Sequence, residues 1–178
     1  MSDFILTKNF FLNSGIESLK LTSGFKKRFV FIDLDSFQSL SDLLDALRNE
    51  WFTEDLNVCL IGSGCVKYKV LNKFEPISLN NSINKIKTIF STRKFHKVSE
   101  LVSYINSVER LSMLSRREQQ CLLAFQKDGN VNISSVRMNI SEKTIYAVLR
   151  NAGNKMNLKR LLQIREFLSS NSFVLNER

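Results

Sequence analysis

The pattern from Leu114 to Lys155 leaves few choices of fold. Ser115-Arg116-Arg117-Glu118 is a capping box: Ser115 can accept from the backbone N–H of Glu118, and the Glu118 carboxylate can reach back to residue 115. The helix it opens buries Cys121, Leu122 and Phe125 and ends at Asp128-Gly129-Asn130, where Gly129 suits a left-handed cap. A short helix, roughly Ile133 to Met138, runs into the turn Asn139-Ile140-Ser141, and asparagine tolerates the left-handed conformation there. Ser141 caps a third helix from Glu142 to Met156, with Glu142 complementing the helix dipole. Helix, loop, helix, tight turn, longer helix is the helix-turn-helix plan.

The third helix divides into two faces. Ile145, Val148, Leu149, Ala152 and Met156 fall at core spacing, while Lys143, Tyr146, Ala147, Arg150, Asn151 and Asn154 fall on the outer side. That outer face combines a guanidinium fork that can read guanine, amides, an aromatic ring and a small side chain that can meet a thymine methyl.

Charge points the same way. Residues 1–90 carry 11 basic and 10 acidic side chains, and residues 91–178 carry 15 and 7. The polycation of this +9 chain is therefore its C-terminal half, and it suits phosphate binding.

The N-terminal half alternates apolar runs with helical stretches. Phe4-Ile5-Leu6-Thr7 reads as a strand, followed by a helix from Leu12 to Leu19. Arg28 to Asp33 and Asn57 to Ile61 read as strands buried on both faces. Leu40, Leu43, Leu44 and Leu47 mark an amphipathic helix, Tyr68-Lys69-Val70-Leu71 a last short strand, and Ile83, Ile86 and Phe90 a further helix. This rhythm predicts a parallel α/β sheet. A basic break, Ser91 to Lys97, is expected as the linker, with a helix from Ser99 carrying Leu101, Val102, Ile105 and Val108 on one face.

Other classes find little support. With His96 the only histidine, the two-histidine zinc motifs are excluded and a histidine-centred catalytic site has little prospect, and no cofactor, metal or catalytic residue is expected. Cys59, Cys65 and Cys121 show no CxxC spacing and read as reduced, buried small residues. No apolar run approaches the ~20 residues of a membrane span, and the N-terminus does not read as a signal peptide, so a cytoplasmic, membrane-free protein is expected.

Residues 111–170 resemble the LuxR/NarL-type helix-turn-helix of bacterial transcription regulators. The resemblance rests on Leu114-Ser115-Arg116-Arg117-Glu118, Ile140-Ser141-Glu142-Lys143-Thr144-Ile145 and Lys155-Met156. Departures are the blurred Ile133-Ser134-Ser135, Asn139 in place of a turn glycine and Val148 in place of a common histidine. The short chain, Met138-Asn139-Ile140 and the basic tail are similar to enterobacterial accessory regulators of the RcsA, GadE and BglJ kind.

The resemblance implies double-stranded DNA as partner. Tyr146, Ala147 and Arg150 are then the readers, and Lys143, Asn151 and Lys155 hold phosphates, with Thr144 and Asn154 completing the interface. It also implies a dimer contact on the last helix, Lys159 to Ser169, where Leu158, Leu161, Leu162, Arg165 and Leu168 form a stripe. The partner is a second copy or another LuxR-type response regulator, and RNA polymerase is a further one.

In this family the N-terminal domain is often a phosphoacceptor receiver. Asp33 occupies the acceptor's place, and Ser63 and Lys73 could stand where receivers keep a hydroxyl and a lysine. Thr7-Lys8 replaces the acidic pair that binds Mg²⁺, and Lys8 could pair with Asp33 instead. The expected architecture is thus a degenerate receiver-like parallel sheet (residues 1–90), a linker and linker helix (91–110), and an all-α, four-helix LuxR-type helix-turn-helix domain (111–178). Function is expected as a sequence-specific, phosphorylation-independent transcription regulator and activator. A phosphorylation-dependent response regulator and a small-ligand-sensing regulator stay open as alternatives. Trp51-Phe52-Thr53-Glu54 reads as aromatic packing, not as a cyclic-diguanylate motif, because Glu54 would repel phosphate.

Overall fold

The computed structural model describes residues 4–23, 28–49, 56–171 and 173; the Trp51–Glu54 stretch lies outside them. The order is β1 (Phe4–Leu6), α1 (Phe10–Ser23), β2 (Phe29–Asp33), α2 (Leu40–Asn49), β3 (Asn57–Gly62), α3 (Val66–Val70), β4 (Ile77–Ser78), α4 (Ile83–Thr92) and α5 (Val98–Glu109). The chain continues through α6 (Arg116–Asp128), α7 (Val131–Met138), α8 (Glu142–Lys155) and α9 (Leu161–Ser170). No helix among the described residues is long and apolar enough to cross a membrane.

The four strands form one parallel sheet in the order β1-β2-β3-β4, with Ile5 opposite Phe31 and Phe31 opposite Cys59. The period-2 alternation of each strand sorts its side chains onto two faces. Val30, Ile32, Val58 and Leu60 pack with Leu40, Leu43, Leu44 and Leu47 of α2. Phe29, Phe31, Cys59 and Ile61 pack on the other side with Ile16 of α1, and Ile86 and Phe90 of α4 lie against them. Phe31, Ile32 and Leu43 are wholly buried, each contributing about 1.5–3 kcal/mol against exposure.

The connections have a topological consequence. The steps β1 to β2 and β2 to β3 go the same way across the sheet, yet α1 covers one face and α2 and α3 the other. The α1 crossover is therefore of opposite hand to its neighbours, against the strong right-handed rule for parallel strands. The sequence explains how this arises: β2 begins six residues after α1 ends, which leaves no room for another strand–helix unit between them.

One expectation is corrected. Tyr68 to Leu71 is no strand: it belongs to α3 and the 3-10 turn Leu71–Phe74, and the strand is Ile77–Ser78. Val66, Val70, Leu71 and Phe74 place apolar side chains at helical spacing toward the α2 side, which a strand could not do. The basic segment before α5 is tied to the sheet. Val58 donates to the His96 carbonyl at 2.8 Å and Val98 to the Leu56 carbonyl at 3.1 Å, pinning the chain beside β3. Val98, Leu101, Ile105 and Val108 of α5 are buried in the core that also holds α2.

That core runs on without interruption into the C-terminal helices, through Leu111, Leu114 and Leu122 to Phe167 and Leu168. At the far end of α9, Asn171 accepts from Leu40 N–H through Oδ1 at 3.1 Å, and Gln126 Nε2 donates to the Leu168 and Asn171 carbonyls.

Candidate nucleic-acid interface

The local signals of the helical half fold as read. Ser115 accepts from Glu118 N–H and the Glu118 carboxylate accepts from Ser115 N–H at 2.7 Å, which completes the capping box of α6. Gly129 ends α6 at φ 63° and Asn139 ends α7 at φ 52°, both left-handed. Ser141 caps α8 by accepting from Thr144 N–H at 3.1 Å.

One register is different. α7 begins at Val131, capped by Asn130, two residues earlier than the Ile133 start. Its buried residues are Val131, Ser134 and Ser135, while Ile133 faces solvent. The helix packs against both α6 and α8, so small side chains hold the inner positions. The Ser134 and Ser135 hydroxyls bond back to the Asn130 and Asn132 carbonyls, so neither is left buried and unpaired.

α8 presents the predicted two faces. Ile145, Leu149, Ala152 and Met156 are fully buried and Val148 packs beside them. Lys143, Tyr146, Ala147, Arg150, Asn151 and Asn154 are all exposed. Nearby cations are already engaged: Arg137 pairs with Asp128 at 2.7 Å, and Arg165 donates to the Gly129 carbonyl. Lys143 and Arg150 make no hydrogen bond or ion pair with any described residue, so their charges are available to a ligand.

Lys155 is not free in this way. Its ammonium lies 2.8 Å from the Glu118 carboxylate, so its first task is to tie α8 to α6. Thr144 is half-buried with its hydroxyl against that of Ser141 at 2.8 Å. Gly153 was not singled out from sequence. A Cβ there would sit 2.5 Å from the Leu158 carbonyl oxygen and 2.7 Å from Ile164 Cδ1, so only glycine permits this approach of α8 to the α9 segment. A glycine inside an otherwise helix-favouring run was the available signal.

Residues 112–167 match the family model for bacterial regulatory proteins of the luxR family. These residues are a luxR-type helix-turn-helix domain. No curated protein matches the sequence significantly. Among solved structures the chain is similar to a complex of the two-component response regulator RcsB with DNA, at 16% identity and TM-score 0.62. It is similar to RcsB from Salmonella enterica serovar Typhimurium bound to promoter rprA with phosphomimetic BeF3-, at 16% and 0.63. A structure of two RcsB dimers on two parallel DNAs matches at 14% and 0.61. Each match covers 96% of this chain and 98% of that one, and at such identity it is the fold that is shared.

In the luxR-type domain the expected dimer stripe is divided. Leu158 and Leu168 are buried in the chain's own core and Leu161 is partly covered, so in this arrangement Leu158 and Leu168 are structural. Leu162, 63% exposed, is the large apolar side chain that α9 offers outward.

At the sheet, Asp33 is 4% exposed and its carboxylate is fully occupied. Thr7 Oγ1 donates to it at 2.7 Å, Ser36 Oγ at 2.6 Å and Asp35 N–H at 3.1 Å. Lys8 does not take this contact; its backbone N–H donates to Ser36 and its side chain is exposed. Ser63 donates its N–H to Asp35 instead. Lys73 lies in the 3-10 turn before β4, and its ammonium lies 5.5 Å from the Tyr104 ring centroid. Cys59 and Cys121 are buried as expected; Cys65 is half-buried, and burial raises its thiol pKa.

Proposed function

We propose that the chain regulates transcription by reading a specific DNA sequence through α8, without phosphorylation, as a homodimer or paired with another luxR-type response regulator. Tyr146, Ala147 and Arg150 read bases in the major groove, Lys143 and Asn151 hold phosphates, and Thr144 and Asn154 border the contact. The observation that carries this reading is the exposed outer face of α8, with Lys143 and Arg150 unpaired above a wholly apolar inner face. Lys155 supports DNA binding mainly by fixing the helix.

Phosphorylation independence is supported by the Asp33 pocket. The Thr7 hydroxyl, at one place of the metal-binding acid pair, and the Ser36 hydroxyl hold the carboxylate, and no lysine pairs with it among the described residues. Regulation then comes from abundance or from the partner, as suits an accessory regulator of the RcsA, GadE and BglJ kind.

The test uses the full chain with a duplex selected from random sequence. Arg150→Ala costs about 1–3 kcal/mol on the selected duplex and little on random DNA. An unchanged ratio of selected to random affinity removes Arg150 as a reader. Acetyl phosphate with Mg²⁺ leaves the wild-type affinity unchanged; an aspartyl phosphate on Asp33 that raises affinity overturns the independence.

A further inference from the structure

The sheet face turned away from the helical half carries an apolar pocket, partly open to solvent, that DNA binding does not use. It holds about 170 Å³ between Ile16 and Leu19 of α1, Phe31 and Ile61 of the sheet, and Ile86 and Phe90 of α4. Ser78 is the one polar side chain in its wall. The Ser78 Oγ accepts from Asn80 N–H at 3.2 Å, which leaves its hydroxyl proton to donate. A buried water wants two to four polar partners, so this space does not suit water.

Gly15 shapes the opening. It lies inside α1, where glycine is a poorer helix former than alanine. A Cβ there would meet nothing within 4 Å, and its φ is not left-handed, so neither crowding nor backbone strain calls for glycine. Its structural effect is an unobstructed edge on the cavity. Leu79 and Ile83, 43% and 55% exposed, form an apolar rim.

We propose that this cavity binds one small, neutral, largely apolar molecule, with a single acceptor group at Ser78. Its volume fits one aromatic ring or a chain of roughly six carbons, since a cavity of about 150 Å³ lined by leucine, isoleucine and phenylalanine takes up benzene. The ligand completes the packing between α1 and α4. The site stands apart from the DNA-reading face, so the proposal does not depend on that function.

The full chain is titrated with benzyl alcohol and with n-hexanol, followed by calorimetry and ligand-observed NMR. One equivalent binds, and the midpoint does not change with protein concentration. Gly15→Leu narrows the opening and raises the melting temperature while weakening binding at least tenfold. Ile86→Phe, from the opposite wall, weakens binding similarly. DNA affinity of both variants without ligand stays within twofold of wild type. Absence of saturable binding by either probe overturns the proposal, as does binding unchanged in both variants. A wild-type dimer that Gly15→Leu dissociates also overturns it, because a second copy then covers this face.

Discussion

Lys155 Nζ lies 2.8 Å from Glu118 Oε2, joining the last turn of α8 to the first turn of α6. Burial alone would push the Glu118 carboxyl up, but the Lys155 ammonium and the Ser115 N–H and hydroxyl outweigh it and hold it below the usual carboxylate range. Because the folded pKa is the lower one, the pair stabilises fully above the ordinary glutamate pKa of ~4.3. That stability is lost as pH falls through the depressed folded value. Glu118→Gln is expected to cost about 1–3 kcal/mol at pH 7. Calorimetry at pH 7, 5 and 3 checks this: the gap to wild type closes at the acid end. A gap that persists unchanged at pH 3 rules out the ion pair as its source.

Lys143 and Lys155 part company in salt titrations. Lys143→Ala lowers affinity for all DNA sequences alike and reduces the slope of log affinity against log salt by about one, as for a single phosphate contact. Lys155→Ala lowers the melting temperature, whereas Lys143→Ala leaves it unchanged. Fluorescence anisotropy from 50 to 300 mM salt, alongside melting curves, separates the two.

Gly153→Ala forces α9 away from α8, since the added methyl meets the Leu158 carbonyl at 2.5 Å and that backbone has no rotamer with which to yield. A loss of about 1–3 kcal/mol is expected, as for overpacking in a dense core. Urea denaturation measures it; a stabilised variant, as helix propensity alone would give, contradicts the close approach.

Leu162→Asp and Leu168→Asp make a paired test of α9. Leu162 is mostly exposed, so its variant keeps wild-type stability and loses self-association or partner binding in sedimentation experiments. Leu168 is 3% exposed, so an aspartate there leaves a buried charge without a partner and unfolds the helical half. Sedimentation unchanged by Leu162→Asp moves the dimer contact off this helix.

What the sequence determined by itself lies within one helical turn of its cause. Ser115 with Glu118, Gly129, Asn139 and Ser141 each satisfy backbone groups no more than four residues away, so both ends of α6, the end of α7 and the start of α8 follow from residue type. The outer face of α8 is legible for the same reason, because a period of 3.6 fixes which side chains share a side. Only the tertiary structure decided the contacts that cross the chain. Thr7, not Lys8, holds Asp33 across 26 positions, because β1 and β2 run side by side and put the hydroxyl in reach. Leu158 and Leu168 are core while Leu162 is surface, although all three read as one stripe, because the rest of the molecule covers α9 on one side. The segment Tyr68–Leu71 has β-favouring residues but becomes helical, since its apolar side chains find the core only at helical spacing. Local hydrogen bonds are encoded where they form; burial is a property of the whole packed chain, and no window of sequence contains it.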